Sequence, residues 1–209
     1  MFALIENQQI TKHLSGNRGI TLGDIQYPRS IFTLWSEAER NAIGIYEITV
    51  DTTNKKDEQW YINTNVSYGV ESNKAVGSYG SATAKAHADT LWTQADSDNG
   101  DLPSDKSVGD VKVEGLKTKL IRTVKAQAAG ILQDTDWYIV RKADAGTAVP
   151  SAITTHRAAV RTKCAEMETS ITNASDTPAL ETLYTYVNTG TEENPVIERP
   201  LGEFPVLEN

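Results

Sequence analysis

The sequence predicts an α+β fold: a small N-terminal antiparallel β unit with a short helix, followed by a C-terminal antiparallel helical hairpin. Three observations predict it. Apolar and polar residues alternate over residues 45–50, as in a strand with one buried face. Ser36 and Glu39 have the spacing of a helix capping box. From Val113 onward, apolar residues recur every three or four positions, as on one face of a long helix.

The first 70 residues contain the predicted β elements. Residues 2–5 and 10–11 flank a polar turn and predict a hairpin. The capping box predicts a helix over residues 36–41, because its two side chains satisfy amide groups that a helix start leaves unpaired. Residues 59–68 are rich in strand formers, and we expect them to pair antiparallel with residues 45–50 across a polar loop.

Residues 69–110 give a weaker signal. The alanine-rich segment 81–94 predicts a helix. The run Asp-Ser-Asp-Asn-Gly-Asp at 96–101, with Pro103 after it, predicts an exposed linker between two domains. The expected boundaries are an N-terminal α+β unit over 1–95, a polar linker over 96–110, a helical hairpin over 111–175, and a short helix with an extended acidic tail over 176–209.

Two amphipathic stretches predict the helical hairpin. The stripe of the first helix consists of Val113, Leu116, Leu120, Val124, Ala128 and Ile131. Residues 134–136 should end that helix, residues 143–149 form a loop, and Pro150 suits the first turn of a second helix. The stripe of the second helix consists of Ile153, Val160, Cys164, Met167 and Ile171. Each helix can bury its stripe only against the other, so the pair should fold back antiparallel.

Composition excludes several classes of protein. A hydrophobic content of 39% argues against wholesale disorder. The single cysteine, Cys164, excludes an intramolecular disulfide framework and a zinc site of several thiolates. No apolar run is long enough to span a bilayer, so we expect no membrane partner. The N-terminus lacks a basic region and reaches Glu6 early, so we expect an intracellular protein or one exported by another route.

Charge is distributed unevenly along the chain. Residues 111–163 carry ten Lys or Arg against four Asp or Glu, whereas residues 164–209 carry one against nine. A nucleic-acid surface usually adds aromatic side chains between its basic ones, and here only Trp137 and Tyr138 do so. We therefore expect no nucleic-acid partner and interpret the basic block as a solvated helical face that meets the acidic tail.

No set of residues predicts catalysis, a metal or a cofactor. The three histidines, His13, His87 and His156, share no ligand spacing. The run at 96–101 resembles a calcium loop, but Asp101 stands where such a loop needs glycine, and Ser107 where it needs glutamate. Cys164 lies in an apolar stripe without an evident base, which predicts a core residue. We therefore expect no catalytic residues, no metal ligands and no enzyme activity.

Two stretches of the hairpin carry a resemblance to a known family. Residues 128–138, AAGILQDTDWY, end a helix in the turn Thr135-Asp136-Trp137. Residues 149–161, VPSAITTHRAAVR, open a helix at Pro150 and place Arg157 four positions before Arg161. Together they resemble the C-terminal region of bacteriophage tail-fibre-associated and tail-fibre-assembly proteins. Residues 27–48 look like the small leading domain of such proteins.

The resemblance implies a non-catalytic structural or adaptor protein of a phage tail: a fibre, baseplate or hinge component. It implies other tail proteins as partners, a homo-oligomer or several copies in the virion, and synthesis in the bacterial host cytoplasm. The implied structural anchors are Thr135, Asp136, Trp137, Pro150, Arg157 and Arg161. In this interpretation Trp137 fills the base of the two helices, and Trp137→Ala should destabilise the hairpin by about 3–5 kcal/mol.

Two alternatives remain open at this stage. One is a tail-fibre assembly chaperone that leaves before the virion matures. The other is a small enzyme or carbohydrate-binding module. The latter requires a deep polar pocket that gathers at least two of four residues: His87, Asp89, His156 and Glu166.

Overall fold

The computed structural model of the protein describes residues 1–207. The chain forms two compact units that divide between Thr83 and Ala84. Strands dominate the first unit and helices the second, so the α+β class is confirmed. The division precedes the linker predicted at 96–110, and that segment lies inside the second unit.

The first unit is built around a five-stranded sheet. Its elements are β1 (Phe2–Glu6), β2 (Gln9–Leu14), β3 (Ile20–Leu22), β4 (Ile25–Tyr27), α1 (Ile31–Leu34), α2 (Glu37–Ala42), β5 (Ile45–Asp51), β6 (Tyr61–Ile62), β7 (Val66–Glu71) and β8 (Lys74–Tyr79). The strand order in the sheet is β2-β1-β5-β8-β7. Neighbouring strands are antiparallel except β5 and β8, which are parallel.

Two tight hairpins determine the register of this sheet. The predicted hairpin β1–β2 is confirmed, and it turns at Asn7 and Gln8, whose φ angles are 51° and 62°. The hairpin β7–β8 turns at Ser72 and Asn73 with φ angles of 49° and 59°. Two successive positive φ angles give a turn whose twist matches that of the flanking strands.

The predicted antiparallel pairing of residues 45–50 with residues 59–68 is wrong. Strand β5 pairs antiparallel with β1 and parallel with β8. Residues 59–68 contain β6 and the start of β7, and β7 pairs with β8 instead. The two-residue turn after β7 allows it to pair with the next segment of the chain, and β8 then occupies the free edge of β5.

The predicted capping box at the start of α2 is confirmed. The Ser36 hydroxyl accepts from the Glu39 backbone amide at 3.3 Å, and the Glu39 carboxylate accepts from the Ser36 amide at 2.8 Å. Side-chain hydrogen bonding from Ser36 lowers the pKa of Glu39. The chain then turns at Gly44, whose φ angle of +79° favours glycine.

Side chains on the two faces of strand β1 enter two clusters of buried residues. Leu4 packs in the larger one, which also contains Leu14, Ile31, Phe32 and Ile45. Ala3 packs in the smaller one, with Ile48 and Ala75. Successive residues of a strand face opposite sides, so one strand contributes to both clusters.

The second unit contains two long helices and several short elements. They are β10 (Thr90–Leu91), α3 (Gln94–Asp98), β11 (Val111–Val113), α4 (Leu116–Gln133), α5 (Asp136–Ala145), α6 (Ser151–Asn173), α7 (Thr177–Tyr184), β12 (Val187–Asn188) and β13 (Ile197–Glu198). A two-residue strand, β9 (Thr83–Ala84), lies at the division between the units. Strand β10 pairs antiparallel with β11, and β12 with β13.

The predicted helical hairpin is confirmed as the pair α4–α6. Lys117, at the start of α4, donates from Nζ to the carbonyl of Thr172 near the end of α6 at 2.8 Å. Near the opposite end, Arg157 donates from Nη1 to the carbonyl of Leu132 at 2.7 Å. The helices are therefore antiparallel. Their buried residues are Leu116, Val124 and Ala128 from α4, and Ile153, His156, Val160, Cys164, Met167 and Ile171 from α6.

The predicted helix over residues 81–94 is wrong, because its backbone groups bind the start of α4. The carbonyls of Ala86 and His87 accept from the amides of Leu116 and Lys117 at 2.9 and 3.0 Å. The first amides of a helix have no partner within the helix, and this segment supplies one for two of them.

The predicted linker at 96–110 is exposed, but it is a closed loop between β10 and β11. Helix α3 opens with a capping box of Thr93 and Asp96. The Asp96 carboxylate also lies 2.5 Å from Lys112 Nζ on β11. This hydrogen bond to Lys112, with those from Thr93, lowers the pKa of Asp96 to about 2. The loop is therefore attached to the second unit at both ends.

Two further segments differ from the prediction. Residues 136–145, predicted as a turn, an apolar patch and the start of a loop, form helix α5, which ends at Gly146 with φ +69°. The predicted short helix after residue 176 is present as α7, but the tail after it is not simply extended. Strands β12 and β13 turn it back, and the Leu201 amide donates to the Leu183 carbonyl at 3.0 Å.

Candidate interaction site

The turn between α4 and α5 is closed by Thr135. Its side chain is buried, with 4% of the residue exposed. The Thr135 amide and hydroxyl both donate to the carbonyl of Leu132, at 3.1 and 3.0 Å. A helix end leaves its last carbonyls without partners, and Thr135 supplies donors for one of them.

Arg157 of α6 completes this turn from the facing helix. Its Nη1 donates to the Leu132 carbonyl and to the Thr135 hydroxyl, both at 2.7 Å. The same nitrogen lies 2.9 Å from Oδ1 of Asp136, the first residue of α5. The Arg157 side chain is largely buried, whereas half of Asp136 is exposed, so solvent screens the ion pair. A cation at the C-terminal end of α4 also opposes the negative end of the helix dipole.

The prediction that Trp137 fills the base of the hairpin is wrong. Its side chain is 52% exposed. The indole stacks on Tyr138 with 3.8 Å between ring centroids, and the Arg141 guanidinium lies 4.7 Å from its centroid. Thr135 and Arg157 already fill the corner, and α5 leaves the helix pair with none of its own residues buried.

Helix α5 therefore presents apolar side chains to solvent. Trp137, Ile139 and Val140 are 52%, 43% and 65% exposed. Trp137, Val140 and Arg141 lie on one side of the helix, because residues three and four positions apart are neighbours there. We call these three residues the α5 face. The Arg141 Nε is buried without a hydrogen-bond partner among residues 1–207.

The two other predicted anchors lie outside the corner. Pro150 directly precedes α6, and its carbonyl accepts from the Thr154 amide at 3.1 Å. Arg161, one turn beyond Arg157, is exposed and has no hydrogen bond or ion pair within the part of the chain that the structure describes. The structure thus brings together Thr135, Asp136 and Arg157, but not Pro150 or Arg161.

Of the four residues that an enzyme or carbohydrate-binding site would require, two precede β10 and two lie on α6. Asp89 caps the start of α4, where its carboxylate accepts from the Gly115 amide at 2.7 Å and the Thr118 hydroxyl at 2.8 Å. These hydrogen bonds, that from Gly115 first, lower the pKa of Asp89. His156 and Glu166 both lie on α6, separated by about 15 Å at 1.5 Å per residue. His87 uses its carbonyl to bind the Lys117 amide.

His13 and Cys164 both have structural surroundings. His13 is exposed, and its ring packs edge-on against Tyr68 at 4.7 Å. Cys164 is buried as predicted, and burial raises the pKa of its thiol. Within residues 1–207, no three His, Cys, Asp or Glu side chains lie close enough together to hold a metal ion.

Side chains of the basic block form ion pairs at the surface of the helix pair. Lys125 lies 3.0 Å from Glu168 on α6, which belongs to the acidic C-terminal stretch of sequence. Arg122 pairs with Glu114, just before α4. No helix within residues 1–207 combines the length and the apolar character that crossing a bilayer requires.

Comparisons with known proteins do not identify a family. No protein-family model matches the chain, and neither the curated proteins nor the solved structures include a significant match. The site is therefore characterised by its own geometry. The exposed face of α5 was missed at the level of sequence, although the run Trp137–Val140 within a short amphipathic segment was its signal.

Proposed function

We propose that the chain is a non-catalytic structural or adaptor protein of a bacteriophage tail, a fibre, baseplate or hinge component that acts by binding other tail proteins. It would be made in the bacterial cytoplasm and incorporated into the virion in several copies. The resemblance of residues 128–138 and 149–161 to tail-fibre-associated proteins supports the phage assignment. The observation that carries a binding role is the α5 face, because large apolar side chains without a protein partner mark interaction sites.

The corner gives this face a defined orientation. Asp136 in the first turn of α5 is paired with Arg157, and Thr135 immediately before it is buried. The α5 face thus projects from the end of the α4–α6 pair in a direction fixed by three side chains. A surface held in one orientation loses less entropy on binding than a mobile one.

The chemistry of the face indicates the kind of tail protein that fits it. Trp137 and Val140 require an apolar contact surface. The Arg141 guanidinium, which lies 4.7 Å from the centroid of the Trp137 ring, adds a positive charge to the face. We therefore propose a partner surface that is apolar and carries a carboxylate opposite Arg141. Tryptophan and arginine are both enriched among the residues that dominate the binding energy of interfaces.

Quantitative mass spectrometry of purified particles of the encoding phage tests the proposal. A structural component is expected in a fixed ratio to the other tail proteins. Presence in the infected-cell lysate together with absence from particles would contradict a structural role and favour the assembly chaperone. Absence of the chain from tail assemblies and their precursors alike would contradict both.

A pair of variants tests the role of the α5 face in the same particles. Trp137→Ala combined with Val140→Ala should reduce incorporation at least tenfold, because the variant removes the apolar contact. Ile62→Ala is the matched control, since Ile62 is 60% exposed and lies in the first unit. Equal incorporation of both variants would show that the face does not bind the tail.

A further inference from the structure

The segment that contains β12 and β13 has no side chain buried on either face. Every residue from 185 to 198 is exposed, and we call this segment the C-terminal hairpin. Val187 faces Glu198 and Ile197 faces Asn188 across the two strands, so each face of the hairpin carries a large apolar residue. The large apolar residues of the C-terminal hairpin are Tyr186, Val187, Val196 and Ile197, which are 54%, 47%, 46% and 60% exposed.

Hydrogen bonds inside the C-terminal hairpin and an ion pair at its base give it a defined shape. The Thr189 amide donates to the Val196 carbonyl at 2.8 Å, and the Asn188 side chain accepts from the Val196 amide at 3.0 Å. At the base, Arg199 pairs with Glu203 at 2.7 Å. An isolated two-stranded hairpin is only marginally stable in water, and it needs a further strand or a helix to pack against. Residues 1–207 supply no such packing surface, because both faces of the hairpin are exposed.

The charge of the C-terminal hairpin has a single sign. Its charged residues are Glu192, Glu193 and Glu198, and it contains no Lys or Arg. Glu198 accepts from the Thr189 hydroxyl at 3.1 Å. Glu192 and Glu193 form no ion pair within the part of the chain that the structure describes. A surface that packs on this hairpin should therefore be apolar and carry cations.

Helix α5 of the same chain lacks a packing partner as well. None of its residues is buried, and Trp137 and Val140 are 52% and 65% exposed. The C-terminal hairpin is exposed throughout, so the two elements do not bury each other within one chain. An apolar helix and a hairpin that needs a helix are therefore both present, and only a contact between two chains brings them together.

The charges of α5 complement those of the C-terminal hairpin. Arg141 and Lys142 have no carboxylate partner within residues 1–207. Asp136 is already paired with Arg157. Asp144 is the other aspartate of α5, and the two cations outnumber it. The helix thus offers an excess of positive charge beside its exposed apolar side chains.

The C-terminal hairpin of another copy is a less suitable partner for this hairpin. Packing two such hairpins together would place their glutamates side by side without a cation between them. Like charges at close range destabilise a contact. Helix α5 avoids this repulsion and supplies the helical surface that a two-stranded hairpin requires.

We infer that the C-terminal hairpin of one copy packs on helix α5 of a second copy. Its apolar side chains contact Trp137 and Val140, and its glutamates lie near Arg141 and Lys142. The contact joins two different surfaces, so a two-fold dimer contains it twice and a closed ring contains it once per copy. The inference rests on the proposed function, because it identifies the occupant of the α5 face as a second copy of this chain.

Sedimentation velocity of the purified full-length chain, at concentrations up to the millimolar range, tests the inference. We expect reversible association that increases with concentration. Raising the salt concentration should weaken it, because screening reduces the attraction between the glutamates and the cations of α5. A chain that remains monomeric at every concentration would overturn the inference.

Charge reversal tests each surface separately. Glu192→Lys combined with Glu193→Lys should weaken association at least tenfold, and so should Arg141→Glu combined with Lys142→Glu. The matched control for the hairpin variant is Glu6→Lys combined with Asp24→Lys, which makes the same change in charge at exposed residues of the first unit. The control should associate as the wild type does.

A mixture of the two charge-reversed variants gives the sharpest result. In the mixture a reversed hairpin can meet a reversed α5, and a native hairpin can meet a native α5, so association should return. A mixture that associates no better than either variant alone would contradict the contact, and so would variants that associate as strongly as the wild type. If a reversed variant fails to fold by circular dichroism, Trp137→Ala with Val140→Ala and Val187→Ser with Ile197→Ser take their place, and each should weaken association at least tenfold.

The solution and particle experiments separate this inference from the proposed function. A monomeric chain whose incorporation into particles still depends on Trp137 and Val140 would mean that a different tail protein occupies the α5 face. That result would overturn the inference and leave the proposed function in place. Self-association of the chain together with its absence from particles and their precursors would support the inference and contradict the proposed function.

Discussion

The two ends of the α4–α6 pair are closed in opposite ways. At the start of α4, the Asp89 carboxylate and two backbone carbonyls bind amide groups. At the end of α4, the Arg157 guanidinium and the Thr135 hydroxyl bind a carbonyl. An anion thus caps the positive end of the helix dipole, and a cation caps the negative end.

The ends differ in how closely their groups are packed. At Gly115, which directly precedes α4, an added Cβ would lie 2.3 Å from the Ala88 carbonyl oxygen. At the other end the chain continues into α5, whose residues are all at least partly exposed, and a cavity lies beside the turn. One end is therefore closed by tight backbone packing, while the other is closed by side chains that lie beside an open cavity.

The largest loss in the free energy of unfolding should come from adding a side chain at Gly115, at the start of α4. Gly115→Ala places a Cβ against the backbone of Ala88 and must displace it, so we expect a loss of about 2–3 kcal/mol in the free energy of unfolding. Urea denaturation measures it. Gly130→Ala is the control, because its Cβ meets nothing within 4 Å, and alanine should stabilise α4 by about 0.5–1 kcal/mol. Equal effects of the two changes would show that the end is not tightly packed.

At the open end, Arg157→Met should cost about 1–3 kcal/mol, because it leaves the Leu132 carbonyl and the Thr135 hydroxyl without their charged donor. The apolar stem of the side chain is retained, so the loss reports on the guanidinium. Arg161→Met, on the next turn, should stay within about 0.5 kcal/mol. Thermal and urea unfolding of both variants make the measurement, and similar losses would contradict the role assigned to Arg157.

Trp137→Ala should change the free energy of unfolding by about 1 kcal/mol or less, since the indole is half exposed and loses mainly its stacking on Tyr138 and Arg141. This replaces the loss of about 3–5 kcal/mol expected from the sequence. Calorimetry can distinguish the two values. A loss as large as that of Arg157→Met would mean that the α5 face supports the fold.

The smallest change in the free energy of unfolding should come from acidification, which should weaken the Asp89 cap at the start of α4. The pKa of Asp89 is lowered below its ordinary value of 3.8, so its stabilising contribution is present above that value and is lost as the pH falls through the lowered pKa. The difference in unfolding free energy between wild type and Asp89→Asn should therefore be constant at pH 5 and above and shrink as the pH falls below 3.8. Arg157→Met offers the contrast: most of its deficit should persist, because the guanidinium stays charged and its hydrogen bonds to the Leu132 carbonyl and the Thr135 hydroxyl involve no titrating acceptor, so only the ion pair with Asp136 depends on pH. A constant Asp89→Asn difference would show that the carboxylate is not the cap.

Elements that are determined by one periodic signal could be predicted from the sequence. The helix pair follows from residues spaced three and four apart, and the box of Ser36 and Glu39 is a local hydrogen-bonding unit. Elements whose structure depends on hydrogen bonds to a distant segment could not be predicted in this way. Residues 81–94 favour a helix by composition, but the carbonyls of Ala86 and His87 accept hydrogen bonds from the start of α4. Strand β5 pairs with β8, and this pairing depends on the turn at Ser72 and Asn73 further along the chain.

The corner between α4, α5 and α6 was predicted only in part, because some of its contacts follow from the helix pair and others do not. Thr135, Asp136 and Arg157 have complementary groups, and the predicted hairpin brings them together. The position of Trp137 depends instead on the direction in which α5 leaves the turn, and no spacing in the sequence reports it. Arg161 matched a motif but lies on the solvent side of α6. His156 was assigned to surface or packing roles, and its burial beside a cavity emerges only once the C-terminal segment is in place.

Arg157 and Leu132 are 25 positions apart, which connects the orientation of α5 to the order of folding. Their contact requires the whole intervening loop to close, and loop closure has an entropic cost that local helix formation does not share. We therefore expect helix α5 to acquire its direction only after α6 has docked. In a native-state hydrogen-exchange experiment, the Thr135 amide should exchange when α6 undocks and not when α5 frays.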